Sequence, residues 1–498
     1  MIGVRDVGSL FICGFYGRTV TPELAELIDR WYVSSFVLYD LRNIAGAAQL
    51  RDLAGAIDRR CRRAGGVPAL LAIDHEGGVN SQLRSAGTVF PGNLALAAGG
   101  GPAGATAAGA ALGGELRAAG LHLNLAPVLD LYDPRNPVIG PRSFATDPGE
   151  VARFGAAYLR GLLGAGALAA AKHFPGNSVT DTDPHRGLPV VGKALRALWA
   201  EDLAPYRALM RAGLLPAVLT SHAMYPALDR RMPATLSAAV LTGLLRRRLG
   251  FRGAVLSDDL EMAAIERRHG LEGAVGLAVR AGVDLVMICH TYDKMRRGIA
   301  HLRELASRDP AVARRVRESA GRVAALKRRA RGGPFPPLRS PAAQRLAAAQ
   351  ARRAFTVIRN GAGLLPLRLA PASRLVVVKI PAPTRPFSSP RTAARSRRVV
   401  PDHQPPSAAS PRPGKTYAPL PRAFPTTAAP SESRPRWDCI HPRIAPSRVM
   451  SPSVAPVTPA ATAHSRRPQD NGAATARPVP RAVSIQNGPV TTPAIDSG

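Results

Sequence analysis

Acidic residues, aromatic residues and cysteines are all scarce in this chain of 498 residues. Asp and Glu number 34 against 67 Lys and Arg, which gives a formal charge of +33, and aromatic residues make up only 5%. The four cysteines (Cys13, Cys61, Cys289 and Cys439) are scattered, without the spacing of a CxxC pair or a zinc site. We therefore expect no disulfide framework and no metal site, and a reducing compartment fits this pattern.

Long apolar segments are also missing. No run reaches 18 uninterrupted apolar residues, so the sequence predicts no membrane span. The first 20 residues contain an early acidic residue and no long apolar core, which argues against a signal peptide and favours a cytoplasmic protein. The positive charge is not arranged on a basic helix face interleaved with aromatic residues. It indicates an arginine-rich solvated surface, and we expect no specific nucleic-acid partner.

Short apolar runs alternate with longer helical patterns as far as about residue 330. Such a strand–helix order is typical of a parallel sheet covered by helices, and eight units suit a closed (β/α)8 TIM-type barrel. An open doubly wound sheet is the competing fold, but no Gly-x-Gly-x-x-Gly follows the first strand. Helices are expected at Pro22–Trp31, capped by Thr21, and at Ala194–Ala212. The predicted strands are Ser9–Phe15, Phe36–Asp40, Ala69–His75, Leu121–Asp130, Ala167–Phe174, Pro216–His222, Gly253–Asp259 and Leu285–His290.

The composition changes abruptly after Ile380. Residues 381–498 hold 24 of the 47 prolines and carry 16 Lys and Arg against 5 Asp and Glu. Such a segment buries too little apolar surface to offset its chain entropy, so we predict a disordered tail. It is either a genuine extension or an out-of-frame translation, and the abrupt change favours the second. We divide the chain into a barrel domain over 1–345, a linker with the start of a second α/β domain over 346–380, and the tail over 381–498.

Six of the apolar runs end in polar residues, which a barrel brings together on the face formed by the carboxyl ends of its strands. The most informative segment is Lys172–Pro189, with the sequence KHFPGNSVTDTDPHRGLP. Asp183 and His185 lie two residues apart, so the carboxylate can orient the imidazole or raise its basicity. A His–carboxylate pair is suited to proton transfer near neutral pH.

Two other segments carry carboxylates at strand ends. The run Gly250–Leu260 delivers the adjacent Asp258 and Asp259, and a carboxylate in such a place can attack an anomeric carbon. Because neighbours in a strand face opposite ways, one of the two can serve the site and the other the structure. In the third segment, Asp74-His75-Glu76-Gly77-Gly78, a carboxylate can accept hydrogen bonds from sugar hydroxyls.

In this order the three segments resemble glycoside hydrolase family 3, in its bacterial β-N-acetylglucosaminidase (β-hexosaminidase) branch. Further similar segments are NLAPVLDL at 124–131, IGPRSFATDP at 139–148, SHAMYPALD at 221–229 and PATLS at 233–237. The resemblance implies Asp258 as nucleophile, His185 as general acid/base and Asp183 as the partner of that histidine. It also implies that four residues hold the non-reducing sugar: Asp74, Arg142, Lys172 and His173. His222 matches a pocket histidine without an assigned role.

The chain departs from the family pattern at two places. The family commonly has Gly-Gly-Arg-Val-x-Arg, whereas here Val79 follows the glycines and Arg84 is the next arginine. The family string Pro-Gly-His-Gly is replaced by Pro175-Gly176-Asn177-Ser178, and Asp-Pro-His stands where Asp-Ser-His is usual. These differences put one sugar contact and the shape of the loop in question.

The resemblance implies a retaining hydrolase, without metal or organic cofactor, that removes terminal β-linked N-acetylglucosamine-type sugars from muropeptide or chitooligosaccharide fragments. We expect a monomer with a small carbohydrate substrate. Two alternatives stay open. One is phosphorolysis, because a histidine acid/base does not repel an incoming phosphate as a carboxylate does. The other is a catalytically idle basic protein that binds polyanions through its tail.

Overall fold

The computed structural model describes residues 3–180, 182–184, 187–330 and 332–355. All described residues belong to a single compact unit of the chain. The predicted start of a second domain and the predicted tail lie outside the described residues, apart from residues 346–355.

Eight parallel strands close into a barrel, as the sequence predicted. Each strand pairs with its neighbours in the spatial order β1-β10-β9-β8-β7-β6-β3-β2, and β1 pairs with both β10 and β2 to complete the ring. A two-residue turn joins β4 and β5 into a small antiparallel hairpin that follows β3 directly. The strands are β1 Phe11–Gly14, β2 Ser35–Leu38, β3 Leu70–Ile73, β4 His75–Gly77, β5 Asn80–Ser81, β6 Leu123–Asn124, β7 Leu168–Phe174, β8 Ala217–Thr220, β9 Ala254–Asp259 and β10 Leu285–Ile288.

Helices surround the barrel and cover one of its ends. Short 3-10 helices occupy Gly140–Arg142 and Ala234–Leu236, and Ala239–Arg248 is a helix with π-type hydrogen bonding. The α-helices are α1 Val4–Gly8, α2 Pro22–Asp29, α3 Asp40–Asn43, α4 Ala47–Gly65, α5 Asn93–Ala118, α6 Pro148–Gly164, α7 Leu195–Ala200, α8 Leu203–Arg211, α9 Ala263–His269, α10 Leu271–Ala281, α11 Tyr292–Arg308, α12 Pro310–Arg328 and α13 Pro341–Ala354.

The core has two parts, because strand residues alternate between the inside and the outside of the barrel. Ile12, for example, belongs to the interior cluster, whereas its neighbours Phe11 and Cys13 pack against the helices. Val323 and Leu326 of α12 join the interior cluster together with residues at the beginnings of the strands. Helix α12 therefore closes the amino-terminal opening of the barrel, and the opposite opening, called the mouth below, is left for the polar strand ends.

All eight predicted barrel strands are confirmed, but most are shorter than expected. The strand expected over Leu121–Asp130 is reduced to β6, and only Val128 continues its pairing, as an isolated bridge to Lys172. Pro127 interrupts this segment because it has no N–H to contribute to a ladder. The polar residues that follow such short strands lie on loops at the mouth.

The single helix expected over Ala194–Ala212 is wrong. It is divided into α7 and α8 at Glu201 and Asp202. Pro205 lies in the first turn of α8, where its missing N–H leaves no bond to the carbonyl of Glu201, so a continuous helix cannot form. The helix expected from Pro22 is confirmed, and the Thr21 hydroxyl accepts a hydrogen bond from the Leu24 N–H.

The remaining expectations concern the periphery. None of the helices in the described ranges is both long and apolar enough to cross a bilayer. Cys13, Cys61 and Cys289 are buried free thiols, while Cys439 lies outside the described residues. The predicted end of the barrel domain at 345 falls inside α13, which runs on to Ala354 and packs against α5; the Gln350 amide donates to the Gly104 carbonyl.

Candidate active site

Polar side chains from five different strands converge at the mouth of the barrel. They follow or end β3, β6, β7, β8 and β9, and in a parallel barrel all of these ends open on the same face. The sequence singled out this set of strand ends, and the contacts between residues far apart in the chain confirm that they meet. The residues are Asp74 and Glu76, Asp130, Lys172 and His173, His222, and Asp258.

A buried group of two carboxylates and two cations forms one side of the mouth. The Lys172 ammonium donates to Asp74 Oδ1 and to Glu76 Oε1, each at 2.6 Å. The Arg142 guanidinium donates two hydrogen bonds of 2.8 Å to Glu76, from Nε to Oε2 and from Nη2 to Oε1. Asp74 and Glu76 are two residues apart in an extended segment, so their side chains face the same way. Charges that are buried and paired so closely hold one another in place.

Glu76 is the centre of this group, although no role was predicted for it from the sequence. Burial acts to raise the pKa of its carboxyl, but the charges of Arg142 and Lys172 outweigh burial and hold that pKa well below its usual range. Burial acts to lower the pKa of Lys172, and the Asp74 and Glu76 carboxylates raise it above the ordinary value. Glu76 and Lys172 therefore stay charged at neutral pH. A signal was present in the position of Glu76, two residues after Asp74, but its partners lie 66 and 96 residues further along the chain.

His173 is held by a carboxylate that the sequence marked only as a strand-end residue. Its Nδ1 lies 2.6 Å from Asp130 Oδ2, and Asp130 also accepts the backbone N–H groups of His173 and Asn177. Asp130 is fully buried. Because a carboxylate attracts a proton, Nδ1 is the donor in this pair, which turns Nε2 towards a ligand. Asp130 thus acts as a positioning residue for His173.

The two adjacent carboxylates at the end of β9 have different surroundings. Asp259 is buried, lies 3.0 Å from His290 Nε2 and accepts the Glu261 N–H. Asp258 is partly exposed, and its Oδ1 accepts the N–H of Asp259 at 2.9 Å. His222 supports this turn from below, since its Nε2 donates to the carbonyl of Asp259 at 3.0 Å and its Nδ1 contacts the Thr235 hydroxyl.

The electrostatic surroundings keep Asp258 ionised. Burial acts to raise the pKa of its carboxyl, but the nearby His222, His173 and Lys172 together bring it below the ordinary value. Burial dominates at Asp259 and raises the pKa of that carboxyl. Within the described ranges, Asp258 forms no ion pair, whereas Asp74, Glu76, Asp130 and Asp259 each lie against a basic side chain. A carboxylate that is ionised and not engaged by a cation is a suitable nucleophile.

The loop after β7 is fixed at both of its ends. Gly176 has a φ of +126°, and a Cβ there would lie 2.5 Å from the Cβ of Asp202, so only glycine fits. Asn177 and Ser178 are buried and bound to the segment after β6, where Asn136 donates to the Asn177 carbonyl. The Ser178 hydroxyl also accepts the Leu131 N–H at 2.8 Å, a contact that the glycine of the family string Pro-Gly-His-Gly does not offer at this position.

The distal part of the same loop reaches the turn after β9. The carbonyl of Pro184 accepts the N–H of Ala264 at 3.1 Å. Asp183 is buried, and its carbonyl accepts the Gly187 N–H. His185, the predicted acid/base, lies outside the described residues, so its pairing with Asp183 stays a prediction.

Arg84 does not replace the arginine that the family commonly has after the glycines. Its Nε donates to the Ser81 carbonyl and its Nη2 to the Val79 carbonyl, so the guanidinium is bound within the β4–β5 hairpin. Val79 is 78% exposed. A search for three or more clustered metal-ligating side chains finds none in the part of the chain that the structure describes.

The profile of the Glycosyl hydrolase family 3 N terminal domain matches residues 7–326, which is the whole barrel. The chain belongs to glycoside hydrolase family 3. Among solved structures, the family 3 β-N-acetylglucosaminidase of Paenibacillus sp. str. FPU-7 superimposes with a TM-score of 0.68 at 35% identity, covering 71% of this chain and 69% of that one. This agreement extends over the barrel whose mouth is described above.

Two curated relatives carry hexosaminidase names. Beta-hexosaminidase of Xylella fastidiosa (strain M23) is 37% identical over 287 residues, covering 56% of this chain and 83% of that protein. Beta-hexosaminidase A of Pseudoalteromonas piscicida is 32% identical over 379 residues, covering 70% of this chain. The family 3 chain described here spans 63% of the length of that relative. The predicted resemblance is therefore confirmed, as is the prediction of a glycosidase related to β-N-acetylhexosaminidases.

Proposed function

We propose that this family 3 chain is a retaining glycosidase that releases terminal β-linked N-acetylglucosamine-type sugars through a covalent glycosyl–Asp258 intermediate. The observation that carries the proposal is the contrast among the carboxylates of the mouth. Four of them are engaged by basic side chains, while Asp258 is ionised, partly exposed and hydrogen-bonded to a backbone N–H. The names of the relatives supply the sugar class.

The sugar is held by the charged group opposite the nucleophile. Asp74 accepts hydrogen bonds from sugar hydroxyls, and Lys172 and Arg142 donate to hydroxyl oxygens. His173, oriented by Asp130, presents its Nε2 to the same ring. Since each cation is already paired with a carboxylate, the pocket carries little excess charge and suits a neutral sugar ring.

The reaction proceeds in two displacements. His185 gives a proton to the glycosidic oxygen, the bond from that oxygen to the anomeric carbon breaks, and Asp258 bonds to the anomeric carbon. His185 then takes a proton from water, whose oxygen attacks the anomeric carbon and releases Asp258, so that the β configuration is retained. Asp183 orients the imidazole. The bond from Ala264 to Pro184 supports this assignment, because it ties the residue next to His185 to the turn that follows Asp258.

The proposed substrate rests on the family resemblance. The proposed cellular location rests on the scattered cysteines and on the composition of the first 20 residues. We propose fragments of muropeptide or chitooligosaccharide as substrates and the cytoplasm as the place of action.

The test is an Asp258→Ala variant assayed on 4-nitrophenyl N-acetyl-β-glucosaminide with and without azide. We expect turnover to fall by about 10⁴-fold because the intermediate cannot form. Azide then restores turnover by attacking from the vacated face, and the product is the α-glycosyl azide. Asp52→Ala, which removes an exposed carboxylate from α4, serves as the control and keeps wild-type turnover.

Three results would contradict the proposal. If Asp258→Ala keeps a tenth of the activity while folded, Asp258 is not the nucleophile. A β-glycosyl azide product would assign this carboxylate to acid/base work instead. Release of a sugar 1-phosphate by the wild type in phosphate buffer, in place of the free sugar, would favour phosphorolysis over hydrolysis.

A further inference from the structure

A second cavity opens at the end of the barrel opposite the mouth. It has a volume of about 580 Å³ and lies beside the beginnings of β8 and β9, where Pro216 and Gly253 form part of its wall. The other walls come from the end of α8, the end of the helix Ala239–Arg248 and the last turns of α12. Leu215, Phe251 and Leu326 are buried residues of its apolar floor. The cavity shares no residue with the active site.

Arginine dominates the lining of this cavity, and no Asp or Glu is among the described residues that surround it. Only one of the arginines, Arg322, reaches carboxylates, with Asp284 at 3.2 Å and Glu318 at 4.0 Å. The other five form no ion pair with any residue that the structure describes. The six that line what we call the arginine cavity are Arg207, Arg211, Arg248, Arg252, Arg322 and Arg329.

Trp199 holds two of these guanidinium groups in the cavity. Arg207 and Arg248 lie over its ring at 4.4 and 4.2 Å from the centroid, and Arg207 Nη1 also donates to the Trp199 carbonyl. Cation–π contacts of this kind fix guanidinium groups that would otherwise spread into solvent. Two cations gathered at one ring raise the local positive potential, which favours an anion in the cavity beside them.

The carboxylate nearest to the cavity is already neutralised. Asp284 is fully buried and binds Arg246, Arg315 and Arg322. Burial first, and then the charges of Arg322 and Arg315, lower the pKa of Arg246 to about 10 against the opposing effect of Asp284. Positive charge therefore exceeds negative charge beneath the cavity as well as around it.

Helix dipoles explain only part of this arrangement. Arg211, Arg248 and Arg329 lie at helix ends, where a cation is favourable. Arg207 lies in the middle of α8, and Arg252 lies in the segment before β9. A cation at a helix end gains nothing from converging with others on a shared cavity, so the dipole does not account for the cluster.

We propose that the arginine cavity binds a small oligophosphate anion, either inorganic or the phosphate tail of a nucleotide. Guanidinium groups match phosphate oxygens with paired hydrogen bonds, and several of them suit a chain of phosphates. The volume lies within the usual range for small-molecule pockets. The site is concave with an apolar floor, which favours a compact anion over an extended nucleic-acid strand.

The experiment titrates inorganic tripolyphosphate into the full-length chain by calorimetry. The test variant Arg248→Ala/Arg252→Ala/Arg329→Ala removes three exposed cavity arginines. Its matched control, Arg51→Ala/Arg160→Ala/Arg303→Ala, removes three exposed arginines from α4, α6 and α11, so that net charge falls equally. Both keep the basic residues beyond position 380, whose binding contributes the same background. We expect one saturable site in the wild type, at least tenfold weaker binding in the test variant and less than twofold change in the control.

Fluorescence places the site independently of those variants. Trp437 lies in the basic segment beyond position 380, so the comparison is made in a Trp437→Phe background. There we expect tripolyphosphate to change the tryptophan emission of the parent and of Trp31→Phe, and to leave that of Trp199→Phe unchanged. If ATP binds more tightly than tripolyphosphate while AMP does not, the ligand is the phosphate tail of a nucleotide. If tripolyphosphate binds more tightly than ATP, the ligand is an inorganic oligophosphate.

Other outcomes would overturn the proposal. Equal losses of affinity in the two triple variants would mean general charge attraction, and so would the absence of a saturable site. An emission change that persists in Trp199→Phe would move the site elsewhere. A single-stranded oligonucleotide that binds more tightly than tripolyphosphate and depends on the same three arginines would replace the small ligand with a nucleic acid.

Discussion

The two ends of the barrel handle charge in opposite ways. At the mouth, the buried cations Arg142 and Lys172 each face a carboxylate, and His173 faces Asp130. At the amino-terminal end, Asp284 binds three arginines, two of which also contact Glu318, and the described residues that line the arginine cavity beside it include no Asp or Glu. Balanced charge holds the side chains of the mouth rigidly and suits the neutral sugar of the proposed function, whereas unbalanced charge is a reason to bind an anion. The same scaffold therefore keeps two different electrostatic environments about one barrel length apart.

The strongest test of this comparison breaks the balance at the mouth. Glu76→Gln keeps the shape of the side chain but leaves two buried cations sharing Asp74. We expect kcat/KM to fall by about 100-fold, because the sugar-holding group loses its geometry, and the free energy of unfolding to fall by about 3 kcal/mol. Kinetics on the chromogenic glucosaminide and urea unfolding measure the two effects.

The control is Glu150→Gln, which breaks an exposed pair with Arg153 on α6. Its unfolding free energy should change by less than about 0.5 kcal/mol. Equal destabilisation by the two variants would mean that burial at the mouth adds nothing to the strength of the Glu76 pairs.

Asp130→Asn is a milder disturbance of the same end. An amide oxygen attracts the Nδ1 proton of His173 less strongly than a carboxylate does, so the ring is oriented less firmly. We expect KM to rise by about tenfold with a smaller change in kcat, because in the proposed mechanism His173 binds sugar and does not react. Asp133→Asn, which removes a carboxylate paired with the exposed Arg135, should leave KM unchanged. A fall in kcat alone would assign Asp130 to the chemistry instead.

The positions of the barrel strands could be predicted from the sequence, because buried parallel strands are continuous apolar runs. The identity of the strand-end residues, such as Asp258 and Lys172, came with them. The break between α7 and α8 could also have been predicted from Pro205, but the residues around this proline strongly favour a single helix. The roles of Glu76 and Asp130 could not be assigned from the sequence, because the role of a carboxylate depends on which side chains it pairs with. Those partners lie far away in the chain: Arg142, for example, is 66 residues from Glu76.

The arginine cavity was not predictable for the same reason. Its six arginines come from three separate stretches of a chain with 67 basic residues, and no local pattern distinguishes them from solvated ones. Only the packing of α8, α12 and the start of β9 brings them together.

A single buried cation tests the amino-terminal end of the barrel through stability alone. Lys327 is buried, and its ammonium donates to the Ser34 carbonyl and hydroxyl and to the Pro68 carbonyl. Burial lowers its pKa to about 8, whereas in an unfolded chain it is about 10.4. Between these values the unfolded state binds more protons than the native state, so this group makes stability rise with pH over that window.

We therefore expect the wild type to gain up to about 3 kcal/mol of unfolding free energy relative to Lys327→Met between pH 7.5 and pH 10.5. Denaturant unfolding at the two pH values measures the difference. Arg328→Met, which removes the neighbouring exposed cation, should follow the wild type. A constant difference between wild type and Lys327→Met would show that the lysine is charged to the same extent in both states.

The ammonium of Lys327 also ties the last helix of the barrel to two of its first segments, 293 residues earlier at Ser34 and 259 earlier at Pro68. During synthesis the carbonyls of Ser34 and Pro68 cannot bind the Lys327 ammonium until nearly the whole barrel has left the ribosome. In a nascent chain that stops before α12, the amino-terminal opening of the barrel therefore stays exposed to solvent, even when all eight strands are present. In this family 3 chain, the amino-terminal opening of the barrel can therefore be closed only after all eight barrel strands have been synthesised.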